Sequence, residues 1–313
     1  MIPVLQAIIL GIVEGLTEFL PISSTGHLIV AEHLIGYRDT AATFTVVIQI
    51  GAILAVVWYY REDLLKRVFR LFQGSHRARR FWLNLVIATV PAAVLGLALQ
   101  KTIEAKLLSP LTVAISLIAC GIVLWLVEAR AKNRLVAEPV AAAFEDVRQT
   151  FDTDRHNRFG LHPRNPNPQE LNLHEPDFDS ITPMQALTIG LAQTLALIPG
   201  VSRSGASIVA GMLTGLNRVT ATAFSFYLGL PILGLAGLYK LYKVRHDLSS
   251  VPGGSLALGV GTLVSFVVAL AAVSWLLRYV SKNDFRGFAI YRVIAGAVIL
   301  GLVATGVLGS RVA

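Results

Sequence analysis

Six stretches of this chain, at roughly 42–60, 82–100, 109–127, 220–240, 255–278 and 288–308, are apolar over the length a helix needs to cross a bilayer. A helix of about 20 residues matches the hydrocarbon thickness and satisfies its own backbone there, which irregular chain cannot do. The chain is therefore predicted to be an all-α polytopic membrane protein. Its composition agrees: of 313 residues, 54% are hydrophobic and only 15% charged, and the mean hydropathy is +0.64. A water-soluble domain carries about 25% charged residues, enough to cover its surface. Disordered, fibrous and ordinary cytosolic classes are excluded. A signal peptide is not expected, because the start lacks a basic segment and a small-residue cleavage site. The single Cys120 lies in an apolar run, so it reads as a packing residue and no intrachain disulfide can form.

The net charge of +8 and the pI near 9.8 could point to nucleic acid. In a membrane chain they are better explained by basic residues collecting beside cytoplasmic span ends, and no nucleic-acid partner is expected. Arg61, Lys66, Arg67, Arg70, Arg77, Arg79 and Arg80 crowd the 61–80 connection, which is expected to be a cytoplasmic loop. Arg130, Lys132 and Arg134 follow a later span end, and Arg278, Lys282, Arg286 and Arg292 place the penultimate connection on the same side. Lys240, Lys243 and Arg245 fall on the opposite side. The hydrophilic stretch 129–180 is rich in Pro, Asn and charge and is expected to be a cytoplasmic loop. Its His156, His162 and His174 match no metal-binding spacing.

Two further apolar segments are interrupted. Residues 2–35 contain Glu14, Glu18, Pro21 and His27, and Pro21 removes a helical donor mid-segment. Residues 183–215 start at Thr182-Pro183, break at Pro199-Gly200 and stop at Gly215. Both are expected to be re-entrant broken-helix hairpins. They also align with each other at an offset of 179 residues: Gly11 falls on Gly190, and Ser23-Ser24-Thr25-Gly26 on Ser202-Arg203-Ser204-Gly205. Three spans separate the copies, and an odd number of crossings inverts the second copy relative to the first. The expected organisation is a first repeat over 1–128, the hydrophilic loop 129–180, and a second repeat over 181–313. Each repeat is a hairpin followed by three transmembrane helices. The copies differ where chemistry would be expected: Glu14 meets Gln193, Glu18 meets Leu197, Ser24 meets Arg203 and His27 meets Ala206.

In the first motif, Glu14 and Glu18 lie one helical turn apart and share a face. Charged groups at membrane depth are costly and are tolerated where they face water or share a cation, a proton or an Arg. Ser23, Ser24, Thr25 and Gly26 place hydroxyls and free N–H groups at a helix start, which attracts an anion. His27, one turn further, is expected within reach of Ser24 as general base or acid. The second motif, residues 199–207, sets Ser202, Ser204 and Ser207 around Arg203, whose planar fork suits phosphate oxygens. A Walker loop is absent, which argues against ATP hydrolysis. The set suits phosphoryl transfer on a substrate with a lipid tail.

EGLTEFLPISSTGH and PGVSRSGAS resemble the two signature motifs of the undecaprenyl-diphosphate phosphatase family, the bacitracin-resistance type of bacterial membrane phosphatase. The likeness extends through TFTVVIQIGAILAVV and over most of the chain except about 130–178. It implies hydrolysis of undecaprenyl diphosphate in the bacterial inner membrane, recycling the lipid carrier of peptidoglycan synthesis. It also implies two inverted repeats, a site open to the extracytoplasmic side, a homodimer, and dependence on a divalent cation, Mg²⁺ or Ca²⁺. Carried onto this chain, Ser24, His27, Glu18 and Arg203 are the expected catalytic residues. Ser23, Thr25, Gly26, Ser202, Ser204 and Ser207 are expected to bind phosphate, Ser207 standing where the family usually has Thr, and Glu14 and Glu18 to hold the metal. Ser24 as nucleophile, His27 as nucleophile and a metal-positioned water all remain open. A lipid-carrier flippase or secondary transporter is the alternative of a different class, because it would use the same architecture.

Overall fold

The computed structural model describes residues 3–37, 43–131, 176–245 and 251–308, and among them the chain is helical with no strand. The helices are α1 (Pro3–Thr17), α2 (Ser24–Ile35), α3 (Thr43–Tyr59), α4 (Arg61–Phe72), α5 (His76–Lys106), α6 (Pro110–Ala131), α7 (Pro183–Gln193), α8 (Arg203–Leu213), α9 (Arg218–Val244), α10 (Gly254–Val280) and α11 (Arg286–Ala304). Five of them, α5, α6, α9, α10 and α11, are long and apolar enough to cross a membrane, and α3 with α4 makes a sixth candidate bent by 69°. The chain is thus a multi-pass helical membrane protein. His156, His162 and His174 lie outside the described residues.

The 61–80 connection differs from the expected loop. Residues 61–72 form α4, and α5 already begins at His76. Leu64, Leu65, Val68, Phe69 and Phe72 recur at helical spacing between Lys66, Arg67 and Arg70, while Glu62 and Asp63 favour the positive end of the helix. None of its residues is buried, and Phe72 is 85% exposed. A two-faced basic helix of this kind is suited to a membrane surface.

Both broken segments fold back on themselves, and the same hydrogen bond closes each. Gln6 Nε2 donates to the Ile35 carbonyl at 2.9 Å, and Gln185 Nε2 donates to the Thr214 carbonyl at 3.0 Å. Donors and acceptors are each 179 positions apart. The predicted start of the second segment is a capping box between Thr182 and Gln185 with Pro183 in the first turn. It stops at Gly215, where φ is +97°.

The first hairpin packs through α1 onto α10, which also packs on α3, while the second packs through α7 onto α5 and through α8 onto α9. The α1–α10 approach depends on two small residues. A Cβ at Gly11 would lie 2.6 Å from the Gly261 carbonyl oxygen, and one at Gly15 would lie 2.5 Å from that of Ser265. Both hairpin turns rest on α6, since a Cβ at Gly26 or at Gly200 would strike Val113.

Contacts between the basic connections gather at one end of the bundle. Buried Glu128, near the end of α6, accepts two bonds from Arg218 Nε and one from Arg218 Nη2, the last at 2.6 Å. It also accepts the Phe285 backbone N–H at 3.0 Å, joining the starts of α9 and α11. Arg80 and Asn84 donate to the Ile181 carbonyl just ahead of α7, and Tyr227 donates to Asp63.

Candidate active site

The site grows from two helix starts. Ser23 (φ 72°) and Ser202 (φ 52°) precede α2 and α8, and they are the non-glycine residues with positive φ among those described. They too are 179 positions apart. A left-handed conformation costs an ordinary L-residue roughly 1–2 kcal/mol, so surrounding contacts must hold it. Arg292, 1% exposed on α11, supplies them. It donates through Nη1 to the Pro21 carbonyl at 3.0 Å and through Nη2 to the Gly200 carbonyl at 2.9 Å. These are again equivalent positions of the two segments. Arg292 was expected to mark a cytoplasmic span end; instead it is buried between the turns, because two carbonyls freed by the helix breaks need donors there. A direct link adds to this, Ser204 Oγ donating to the Leu20 carbonyl at 2.9 Å.

The reactive groups converge beside these turns. Ser24 Oγ donates to Glu18 Oε2 at 2.6 Å. Glu18 Oε1 faces Arg203 Nη2 at 3.7 Å, which brings the first hairpin's acid to the second hairpin's base. Arg203 Nη1 is anchored on the Ser225 carbonyl at 2.9 Å, whereas its Nε and Nη2 have no hydrogen-bond partner. Its side chain is only 9% exposed. A buried guanidinium whose Nε and Nη2 make no hydrogen bond, Nη2 meeting only the longer Glu18 contact, is suited to an anion, because burial strengthens the attraction and leaves the donors without water. Gly229 of α9 makes room for it, since a Cβ there would come within 2.9 Å of Arg203 Nη1.

His27 does not make the expected pair with Ser24, whose proton points to Glu18. Its Nδ1 lies 2.7 Å from the Ser23 carbonyl oxygen, one turn back in its own helix. Its Nε2 lies 2.6 Å from Tyr291 Oη, and the two rings are stacked with centroids 5.5 Å apart. Tyr291 and Gly229 were not identified from the sequence, where each sits in an apolar run with nothing to distinguish it.

Glu14 is fully buried and both its carboxyl oxygens lack a hydrogen-bond partner; Gln193, its counterpart at +179, is buried with its amide group likewise unpartnered. Two acceptor oxygens with nothing to accept from fit a cation or a proton. Among the described residues no group of three or more His, Cys, Asp or Glu could hold a metal, so a cation would need oxygens from substrate or water as well. Ser202 caps α8 by accepting the Gly205 N–H at 3.1 Å, Thr25 is exposed, and Gly26 is buried. The Ser207 hydroxyl, expected to bind phosphate, is engaged within the protein. It donates to the Arg203 carbonyl at 2.9 Å and meets Ser225 Oγ at 2.7 Å. It steadies the segment that anchors Arg203, because a helical Ser bonds readily to the preceding turn.

His27 and Gly26 also border an apolar cavity of about 800 Å³ between the first hairpin and α10–α11, with Val30, Leu34, Trp275 and Ile299 among its walls. An acid, a hydroxyl and a guanidinium buried together one helical turn from an apolar cavity suit a helical membrane protein to an amphiphile with an anionic head. The chain matches the family model for bacitracin resistance protein BacA over residues 7–298 and belongs to that family. Among its relatives, undecaprenyl-diphosphatase 1 of Paraburkholderia xenovorans is 46% identical over 296 residues, covering 94% of this chain and 93% of the relative. The undecaprenyl-diphosphatase of Deinococcus radiodurans is 44% identical over 308 residues, covering 97% of each.

Proposed function

We propose that this protein is an undecaprenyl-diphosphate phosphatase of the bacterial inner membrane. It hydrolyses the carrier diphosphate to undecaprenyl phosphate and phosphate, recycling the carrier for peptidoglycan synthesis and thereby conferring bacitracin resistance. The observation that carries the reading is the Ser24–Glu18–Arg203 set: a hydroxyl on a carboxylate, beside a buried guanidinium with free donors. Ser24 Oγ attacks the terminal phosphorus and passes its proton to Glu18. Undecaprenyl phosphate leaves with the electrons of the anhydride bond; water, its proton accepted by His27, then attacks the seryl ester, and Glu18 returns its proton to Ser24 Oγ as phosphate departs. Arg203 Nε and Nη2 meet the charge on the transferring group, where a preorganised donor is most effective. The N–H groups at the start of α2, opened by the left-handed Ser23, cradle the same phosphate. Glu14, with Glu18, would hold a Mg²⁺ or Ca²⁺ whose positive charge would offset that of the diphosphate. The apolar cavity receives the first isoprene units.

The proposal extends to architecture. Residues 1–128 and 181–313 are two inverted repeats around a cytoplasmic 129–180 loop. This is supported by four equivalences at 179 residues: the Gln donors, their acceptors, the Arg292 acceptors and the strained serines. The first hairpin opens beside the start of α3, away from the basic end, and the second opens beside the start of α9, at the basic end. Taking the basic end as cytoplasmic, the first hairpin opens to the extracytoplasmic side, and the proposal has the substrate head group enter from there.

Phosphate release from undecaprenyl diphosphate by protein purified in detergent tests the reading. Detergent leaves no second compartment, so a flippase or transporter would release none. Radiolabelled phosphate trapped on wild type and missing from Ser24→Ala supports the seryl intermediate; turnover with no labelled protein removes it.

A further inference from the structure

We infer that Tyr291 is a positioning residue for His27, donating its hydroxyl to Nε2 and thereby holding the neutral imidazole as the Nδ1–H tautomer with Nε2 as its basic nitrogen. The inference starts from the hydrogen-bond partners. Nδ1 lies 2.7 Å from the Ser23 carbonyl oxygen, and a carbonyl oxygen can only accept, so Nδ1 carries the proton. In a neutral ring Nε2 is then an acceptor, and the group bonded to it among the described residues is Tyr291 Oη at 2.6 Å. The phenol therefore donates. Nδ1 is tied to the backbone of the strained residue that opens α2 and is closed to substrate, so any proton His27 exchanges passes through Nε2. That nitrogen faces Tyr291, and both residues line the apolar cavity. Near-parallel stacking at 6° fixes the ring plane as well. Tyr291 adjoins Arg292, which holds both turns, so one turn of α11 sets the spacing of the hairpins and the orientation of the His27 imidazole beside them. The general principle is that a ring nitrogen's reactivity is set by what its other nitrogen bonds. Its use in catalysis rests on the phosphatase reading; the tautomer does not.

The test uses full-length protein in detergent with ¹⁵N-labelled histidine, the His27 signals being assigned among the seven histidines by their loss in His27→Gln. The expected wild-type spectrum at neutral pH has a protonated Nδ1 and a hydrogen-bonded, unprotonated Nε2. In Tyr291→Phe, which keeps the ring, the Nε2 resonance should move toward that of a free acceptor. If His27 carries its proton on Nε2, or Tyr291→Phe leaves both shifts unchanged, the inference is overturned. In the phosphate-release assay, Tyr291→Phe is expected to lower kcat about tenfold with KM changed by less than about twofold. Wild-type kcat in this variant removes the positioning role, because stacking alone would then suffice. A wild-type protein that releases no phosphate would sink the phosphatase reading and leave the spectrum to decide the tautomer.

Discussion

The first hairpin carries Glu14, Glu18, Ser24 and His27; at the corresponding positions the second carries Gln193, Leu197, Arg203 and Ala206. Beneath that difference the frames coincide. Each hairpin is closed by a Gln side chain on an equivalent carbonyl, each starts its inner helix from a serine with positive φ, and each gives one turn carbonyl to the same Arg292. These contacts recur while the chemistry is divided. The first hairpin supplies acids, a hydroxyl and an imidazole, and the second a guanidinium on a helix start. Their pairing, Glu18 to Arg203, gives two similar frames a single asymmetric centre.

Breaking the division of chemistry should have the largest effect. Ser24→Ala and Arg203→Ala are each expected to lower phosphate release by about 10³-fold or more while the protein still inserts and unfolds at its usual temperature. Arg203→Lys should recover little, because a point charge cannot replace the planar fork. Near-wild-type turnover in either alanine variant would refute the assigned roles. Arg292→Met attacks the shared frame. It leaves two buried carbonyls without donors, at roughly 1–3 kcal/mol each, so both a lower melting temperature and lost turnover are expected; a variant as stable as wild type would show that the turns hold themselves. Gly229→Ala should shift Arg203 without touching the first hairpin and reduce kcat by about 10- to 100-fold. Gly234→Ala, where a Cβ meets nothing within 4 Å, is the matched control and should be neutral. The smallest effects should come from Gln6→Ala and Gln185→Ala, at about 1 kcal/mol each by thermal unfolding. Similar losses would support a duplicated frame, and a much larger loss at one of them would show that the hairpins are not mechanically equivalent.

Much of this was legible in the residues. The apolar runs locate α5, α6, α9, α10 and α11, and Pro21 and Pro199-Gly200 mark both breaks. Repeat matching pairs Ser23 with Ser202, which proved to be the strained positions. Several assignments were not legible. Arg292 reads like any basic residue near a span end, since nothing local separates a buried Arg from an interfacial one. The amphipathic α4 was hidden by its charge count, which signals orientation but not conformation. Ser24 has two possible partners, His27 one turn on and Glu18 six residues back, and spacing alone does not choose between them.

The sequence by itself determined that this chain crosses a bilayer, where its helices break, and which side chains have no business in lipid unless they meet. These follow from local physics: hydropathy over a span's length, the missing N–H of proline, and the cost of a charge away from water. Only the tertiary structure decided which of those side chains meet: Ser24 with Glu18, His27 with Tyr291, and both turns with Arg292. Such partners lie up to 271 residues apart, and their encounter depends on how helices pack, to which no stretch of sequence holds the key alone.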